Sequence, residues 1–182
     1  MKTFSSSIIL LVSFFSVIVF SANKPVDSSS IHPLPSSANG ISFPKGYQDW
    51  SVIAVSHRED NKTLRIIIGN FTAINAIEDG LTNPWPDGSV LGKMVWKDRQ
   101  DKHWSSATVP SEFVHSEFMF KDANKWKETG GWGWARWLGV EQKPFGEGNS
   151  FASASCVACH TPVKEKDWVY TTPAIMPKRI KE

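Results

Sequence analysis

The fold is indicated first by the segment Ser51-Val-Ile-Ala-Val-Ser-His-Arg-Glu-Asp-Asn-Lys-Thr-Leu-Arg-Ile-Ile-Ile-Gly69. Its two arms, residues 51–56 and 63–69, are rich in Val and Ile, which favour strands. The polar residues 57–62 between them are typical of a turn. The pattern predicts a β-hairpin, with Arg65 as the one charged residue inside the second strand.

The segments after this hairpin predict two short helices and three more strands. Apolar residues recur at helical spacing over residues 71–78, and Asp79-Gly80 is a stop signal, so we expect a helix there. Further strands are expected over residues 89–96, 113–120 and 132–140, and a small-residue helix over 150–160. The predicted class is α+β, mainly antiparallel β-sheet with a few short helices.

The order of segments along the chain predicts an exported protein with one domain. Residues 1–22 combine a basic start, an apolar run and small closing residues, which is the layout of a signal peptide. Residues 23–40 are rich in Ser, Pro and Asn and predict a flexible linker. The globular domain is expected over residues 41–172 and a short basic tail over residues 173–182.

Composition limits the kinds of partner. A chain of 182 residues with a formal net charge of +2 has too little positive charge to indicate nucleic acid. The leader's apolar run, residues 8–20, is short for a bilayer, so an uncleaved membrane anchor is the alternative to a cleaved signal. We expect a periplasmic or otherwise exported protein with no membrane span after signal removal.

Cys156-Val-Ala-Cys159-His160 is the motif that carries chemistry. The Cys-x-x-Cys-His spacing lets two thiols add to the vinyl groups of a haem while the adjoining imidazole binds the iron. A redox dithiol and half of a zinc site are the alternatives. The chain has only 2 cysteines and no βαβ pattern before Cys156, which disfavours both. We expect one covalent haem c on Cys156 and Cys159, with His160 as the axial iron ligand.

The late position of this motif bears on the other axial ligand. Met176 is the sole later methionine, whereas Met94 and Met119 lie in predicted strands, where methionine usually packs in a core. We therefore favour five-coordinate iron with an open distal face, which suits binding or reaction of small molecules. A six-coordinate electron-transfer cytochrome with a Met ligand is the alternative.

The rest of the chain carries several short motifs in a definite order. They are Phe43-Pro44-x-Gly46-Tyr47-x-Asp49-Trp50, His57-Arg58-Glu59-Asp60-Asn61, Trp85-Pro86-Asp87-Gly88, Lys121-Asp122 and Thr129-Gly130-Gly131-Trp132-Gly133. With the closing Cys-x-x-Cys-His, they resemble the cytochrome P-460 family over residues 43–171. The resemblance implies a small β-rich domain, often dimeric, with five-coordinate c-type haem, related to the nitric-oxide-binding cytochromes c′-beta. The family's best-known activity is oxidation of hydroxylamine.

The resemblance also singles out a lysine. Members that oxidise hydroxylamine carry a lysine cross-linked to the haem ring, and Lys93 follows Asp87-Gly88 at the matching distance. By the period of two in a strand, Lys93 shares a face with Leu91 and Val95, so an inward or haem-proximal position is expected. A solvated strand lysine is the alternative.

Two further positions match distal polar residues of that family, Arg65 and Glu117. Glu117 can accept a proton from substrate, and Arg65 can orient substrate or balance haem propionates. A structural ion pair or rim charges are the alternatives. The chain also departs from the family pattern. It has Ser155 where some hydroxylamine oxidisers have a carboxylate base, and a serine hydroxyl is a poor base near neutral pH.

Two functions therefore follow from the sequence. The first is an oxidoreductase that acts on hydroxylamine or nitric oxide and passes electrons to a soluble acceptor. The second is a haem protein that binds or senses nitric oxide or carbon monoxide without turnover. A plain electron-transfer cytochrome is third. A homodimer is a further expectation from the resemblance.

Overall fold

The computed structural model describes residues 34–146, 152–175 and 177, without the side chains of 152–154. The described residues all belong to one compact unit, the second of two, which begins at residue 33. The predicted signal peptide, most of the predicted linker and tail, and Met176 lie outside the described residues. Residues 34–40, the end of the predicted linker, lie in the second unit. In this segment Asn39 donates a hydrogen bond of 2.8 Å to the Trp134 carbonyl.

One antiparallel sheet forms the body of this unit. Its six strands follow each other in space in chain order. They are β1 (Ser51–Arg58), β2 (Thr63–Gly69), β3 (Val90–Gln100), β4 (Thr108–Lys121), β5 (Trp132–Leu138) and β6 (Lys143–Pro144). The predicted class, α+β with a mainly antiparallel sheet, is confirmed.

Short helices connect and flank the strands. They are the 3₁₀ helices Tyr47–Asp49, Lys127–Thr129 and Thr161–Lys166, the α-helices α1 (Phe71–Glu78) and α2 (Ala158–His160), and the π-helix Ala152–Val157. Asn70 begins α1, because its side chain accepts hydrogen bonds of 3.0 Å from the backbone N–H groups of Ala73 and Val90. That one side chain therefore caps the helix and ties it to β3.

The two faces of the sheet carry separate hydrophobic cores. The core on the first face, called the motif face because Cys156 and Val157 pack against it, consists of Ile53, Ile67, Ala73, Ile74, Ala76, Trp85, Leu91, Trp132, Trp134 and Val169. The core on the second face, called the aromatic face, consists of Ile41, Ile68, Met94, Phe118, Ala135 and Trp137. Successive strand residues therefore alternate between the cores, as the period of two requires.

Aromatic rings close the aromatic face. Phe118 is 1% exposed, and its ring makes edge contacts with Phe43 at 5.2 Å and with Tyr47, Trp50 and Trp137 at 6.0 Å between centroids. A Cβ atom on Gly92, across the strand pair, would lie 2.7 Å from the Phe118 ring. Glycine is thus required there by the close approach of the ring.

Sequence-predicted bounds hold for some elements and fail for others. The second strand and the first helix have the predicted bounds, but β3 ends at Gln100 and not at residue 96, and β4 begins at Thr108 and not at residue 113. These extra residues form a mainly exposed two-stranded ribbon without a buried face, so they lack the alternating apolar signal. β5 ends at Leu138 because Gly139, with φ of 60°, turns the chain.

The helices of the described part of the chain are all too short, or too polar, to cross a bilayer.

Candidate functional site

The Cys-x-x-Cys-His motif lies on a continuous helical segment. Cys156 is in the π-helix, and Cys159 and His160 form the end of α2. Both thiols are free, with Cys156 half-buried against the motif face and Cys159 exposed. Burial raises the pKa of Cys156 to about 11. Because a redox dithiol needs a lowered pKa at its attacking sulfur, this environment does not favour that alternative.

The imidazole of His160 is held by a backbone carbonyl. Its Nδ1 lies 2.7 Å from the Trp168 carbonyl oxygen, which can only accept, so Nδ1 carries the proton. The Trp134 ring packs edge-on at 4.6 Å from the imidazole, and the Tyr170 ring does so at 5.2 Å. Nε2 is thereby left as the nitrogen with the free lone pair. This is the arrangement that metal-ligating histidines usually have.

The strand register brings Lys93, Glu117 and Arg136 into one row across three strands. Lys93 pairs with Glu117 between β3 and β4, and Glu117 pairs with Arg136 between β4 and β5. The Glu117 carboxylate forms ion pairs with both cations, and His115 Nε2 lies 3.4 Å from its Oε1. The Glu117 side chain is only 18% exposed. A largely buried carboxylate therefore bridges two cations on the motif face.

These charges determine the protonation of the row. Burial by itself would raise the pKa of Glu117, but the positive charges of Lys93 and Arg136 outweigh burial and lower this pKa to about 2. Burial lowers the pKa of His115 to about 4, and the charges of Arg136 and Lys93 act in the same direction. At neutral pH the carboxylate is ionised and the imidazole is neutral.

Arg65 lies one row away on the same face. It pairs with Val95 on β3, and its Nη2 donates a hydrogen bond of 2.6 Å to the Thr63 hydroxyl. Burial lowers the pKa of this guanidinium. Within the described residues, the Nε atoms of Arg65 and Arg136 are buried without a hydrogen-bond partner. Two buried cationic donors without partners suit a bound group that carries carboxylates.

The row and the motif lie close enough to interact electrostatically. The charges of Lys93 and Glu117 both act on the Cys156 thiol and on the His160 imidazole. The structure therefore groups Lys93 and Glu117 with the motif, and Lys93 has the predicted orientation, on the face of buried Leu91. Ser155 is exposed.

The methionines differ in position. Met94 belongs to the aromatic-face core, on the opposite side of the sheet from Cys156, whereas Met119 packs against the motif-face core. The expectation that strand methionines pack in a core therefore fits both of these residues.

Sequence reasoning missed two residues of the row. They are His115 and Arg136, and both contact Glu117. A signal existed for His115, because it precedes Glu117 by two residues and so shares its strand face. Arg136 gave no such signal, since only the β4–β5 register places it beside Glu117.

The donor set fits a haem better than a bare metal ion. The described residues contain no group of three or more His, Cys, Asp or Glu side chains that could hold a metal ion, as zinc requires. Two free thiols, one histidine with a free Nε2, an apolar core beside the motif and two arginines with buried, unpartnered Nε atoms are what a covalently held haem with carboxylate side groups needs. Cys156, Cys159 and His160 would hold it.

An antiparallel sheet with a Cys-x-x-Cys-His segment packed on one face defines the class of β-sheet cytochromes. Residues 44–171 match the family model described as Cytochrome P460. The chain therefore belongs to the cytochrome P460 family, as its motifs predicted, and the family implies a haem cofactor with iron. A comparison with curated proteins finds no matching relative.

Proposed function

We propose that this protein is an exported, single-haem c-type cytochrome with five-coordinate iron that oxidises hydroxylamine or nitric oxide. Cys156 and Cys159 would hold the haem through thioether bonds, and His160 would bind its iron through Nε2. The free thiols and the protonated Nδ1 of His160 support this assignment. The position of Met94 on the far side of the sheet removes this methionine as a candidate sixth ligand. The leader-like residues 1–22 support export.

The observation that carries the oxidoreductase proposal is the ion pair of Lys93 with Glu117 on the motif face. Lys93 is the residue expected to cross-link to the haem ring, and its amine lies on the face that the motif covers. The haem, when bound, supplies an iron that accepts electrons from a small nitrogenous molecule. A soluble acceptor then removes those electrons.

Glu117 is the proton acceptor in this proposal. With Lys93 and Arg136 both paired to it, its pKa of about 2 makes it a weak base. A bond between Lys93 and the haem ring would draw the lysine from this ion pair, and the pKa of Glu117 would rise. His115, neutral because its pKa is about 4, lies beside the carboxylate and can accept a hydrogen bond or donate one.

A second function, binding of nitric oxide or carbon monoxide without turnover, is favoured by a different observation. Both oxygens of the Glu117 carboxylate are engaged by cations, and Ser155 supplies no second carboxylate. A site in which no group accepts a proton efficiently can still bind a neutral diatomic gas at an open iron position.

The optical spectrum of the ferrous protein, produced in a host that attaches haem c, separates these functions. A red-shifted, broadened Soret band that Lys93→Met abolishes supports the cross-link and hydroxylamine oxidation. Lys97→Met is the matched control, because Lys97 is an exposed lysine of the same strand. An ordinary high-spin spectrum unchanged by Lys93→Met favours gas binding, and sharp low-spin α and β bands contradict both functions in favour of electron transfer.

A further inference from the structure

A buried ion pair lies behind the hydrogen bond that holds His160. Lys121, the last residue of β4, places its Nζ 2.7 Å from each carboxylate oxygen of Asp167, and the two side chains are 6% and 9% exposed. Lys121 Nζ also lies 5.0 Å from the centre of the Trp132 ring. This pair is more buried than any other ion pair in the described part of the chain.

Asp167 is held from three directions. Besides the Lys121 ammonium, its Oδ2 accepts a hydrogen bond of 2.8 Å from the Trp85 backbone N–H. Its own backbone carbonyl accepts one of 2.9 Å from the Trp132 indole N–H. Contacts from β4, from β5 and from the loop before β3 therefore converge on this one residue, which fixes both its side chain and its peptide group.

The backbone at this point adopts a conformation that needs support. Asp167 has φ of 49° and Trp168 has φ of 66°, both in the left-handed region. Aspartate tolerates that region, but a tryptophan there is strained. The Trp168 indole is seated against Gly130, where a Cβ atom would lie 2.2 Å from its Nε1. The contacts on Asp167 and the packing of the Trp168 ring together hold the backbone of these two residues in the left-handed region.

The strained conformation determines where the Trp168 carbonyl points. That carbonyl is the oxygen that accepts the His160 Nδ1 proton at 2.7 Å. A relaxed backbone at residues 167 and 168 would rotate this peptide group away from the imidazole. A hydrogen bond at Nδ1 fixes the ring orientation of a metal-ligating histidine and increases its basicity. The buried pair is thus connected to the imidazole through a single backbone turn.

We propose that Lys121 and Asp167 are positioning residues for the His160 imidazole, acting through the Asp167–Trp168 backbone to set its Nδ1 hydrogen bond. The inference rests on the proposed function, because it requires His160 to be the axial ligand. It goes further by assigning the electron-donating strength of that ligand to a pair that does not touch it. An ion pair that only stabilised the fold would not change the basicity of the imidazole. Stability alone is also a weak reason for the pair, because apolar residues often replace a buried ion pair without loss of stability.

The test uses the haem-loaded protein and two readouts, the iron–histidine stretching band in the resonance Raman spectrum of the ferrous state and the midpoint reduction potential. Asp167→Asn keeps the size and an acceptor for Trp85 N–H but removes the charge. It is expected to lower the stretching frequency and shift the potential to more positive values, because a weaker Nδ1 hydrogen bond makes the imidazole a poorer donor. Lys121→Met should shift both in the same direction, and Lys121→Arg should restore them in part.

Asn70→Ala is the matched control. It removes the cap of α1, which costs stability without contact with residues 160–168. It should lower the melting temperature and leave both readouts unchanged. The proposal is overturned if Asp167→Asn and Lys121→Met lower only the melting temperature. If Asp167→Asn yields no haem-loaded protein, the Lys121→Met and Lys121→Arg pair decides by the same criteria.

Failure of the underlying function has a different signature. If His160 is not the axial ligand, the wild-type ferrous protein lacks the iron–histidine band, or His160→Gly retains it unchanged. In that case both the ligand assignment of His160 and the positioning role of the ion pair are wrong. A band that His160→Gly removes but the pair variants leave unaltered overturns the positioning role alone.

Discussion

Two adjacent rows of the same four strands have opposite chemistry. The row Ile68, Gly92, Phe118 and Ala135 is apolar and sealed by aromatic rings. The adjacent row, one position away along each strand, consists of Ile67, Lys93, Glu117 and Arg136. Charged groups on a largely buried face lose solvation and are retained only when they are paired. The apolar row therefore packs the aromatic face, whereas the charged row gives up apolar packing at one level of the motif face for a site.

The largest expected effect tests whether the motif face is the haem side. In Cys156→Ala/Cys159→Ala, covalent haem should be lost completely, because no other thiol exists in the chain. Haem staining after denaturing electrophoresis and intact mass measure it. Trp137→Phe, on the aromatic face, should retain full covalent loading. Equal loss of haem in both variants would contradict the division between the faces.

The next effect tests the aromatic face as the source of stability. Phe118→Ala removes a ring that is 1% exposed and contacts five other aromatic residues, so the free energy of unfolding should fall by about 3–5 kcal/mol. Urea unfolding followed by tryptophan fluorescence measures it. Covalent haem attachment in the surviving protein should be unchanged. A loss below about 1 kcal/mol would mean that the ring cluster is not the stabilising core.

An acid-dependent effect tests the charged row. Glu117 has a pKa of about 2 in the fold against an ordinary value of 4.5, so its ionised form stabilises the fold above pH 4.5. This contribution, about 3 kcal/mol at most, is lost as the pH falls from 4.5 towards 2. Urea unfolding midpoints across that range measure it, and Glu117→Gln should flatten the pH dependence.

His115→Gln separates the neighbouring imidazole from the carboxylate. The pKa of His115 is lowered to about 4 in the fold from its ordinary value of 6.5. Its effect on stability therefore falls in a higher pH range than that of Glu117, and stability is lost as the pH falls from 6.5 towards 4. The variant should remove this part of the pH dependence and keep a loss below pH 4.5. A Glu117→Gln protein with the acid sensitivity of the wild type would show that the row does not carry the pH dependence.

The smallest effect on stability is expected at a surface ion pair outside the two cores. Arg58 pairs with Asp60 at the surface, with both side chains more than half exposed. Because water and salt screen such a pair, Arg58→Ala should leave the unfolding midpoint within experimental error of the wild type. The same urea titration checks it. A clear loss of stability there would mean that charge pairs outside the two cores also hold this sheet together.

Elements with a strong apolar period could be predicted from the sequence. The second strand and the first helix have their predicted bounds, and the period of two correctly placed Lys93 on the face of Leu91. The family was also predicted from the motifs and is confirmed over residues 44–171. The polar half of the β3–β4 hairpin escaped prediction, because strands that bury no face carry no alternating signal.

Which distant side chains meet depends on how the strands pair in the folded protein. The β4–β5 register places Arg136 beside Glu117, and the turn at residues 167–168 places a carbonyl on His160. The Lys121–Asp167 pair joins residues 46 positions apart in the chain. Local propensity and spacing are encoded within a few residues and can be read from them. Contacts between strands depend on register and on the packing of the whole sheet, which no short segment contains.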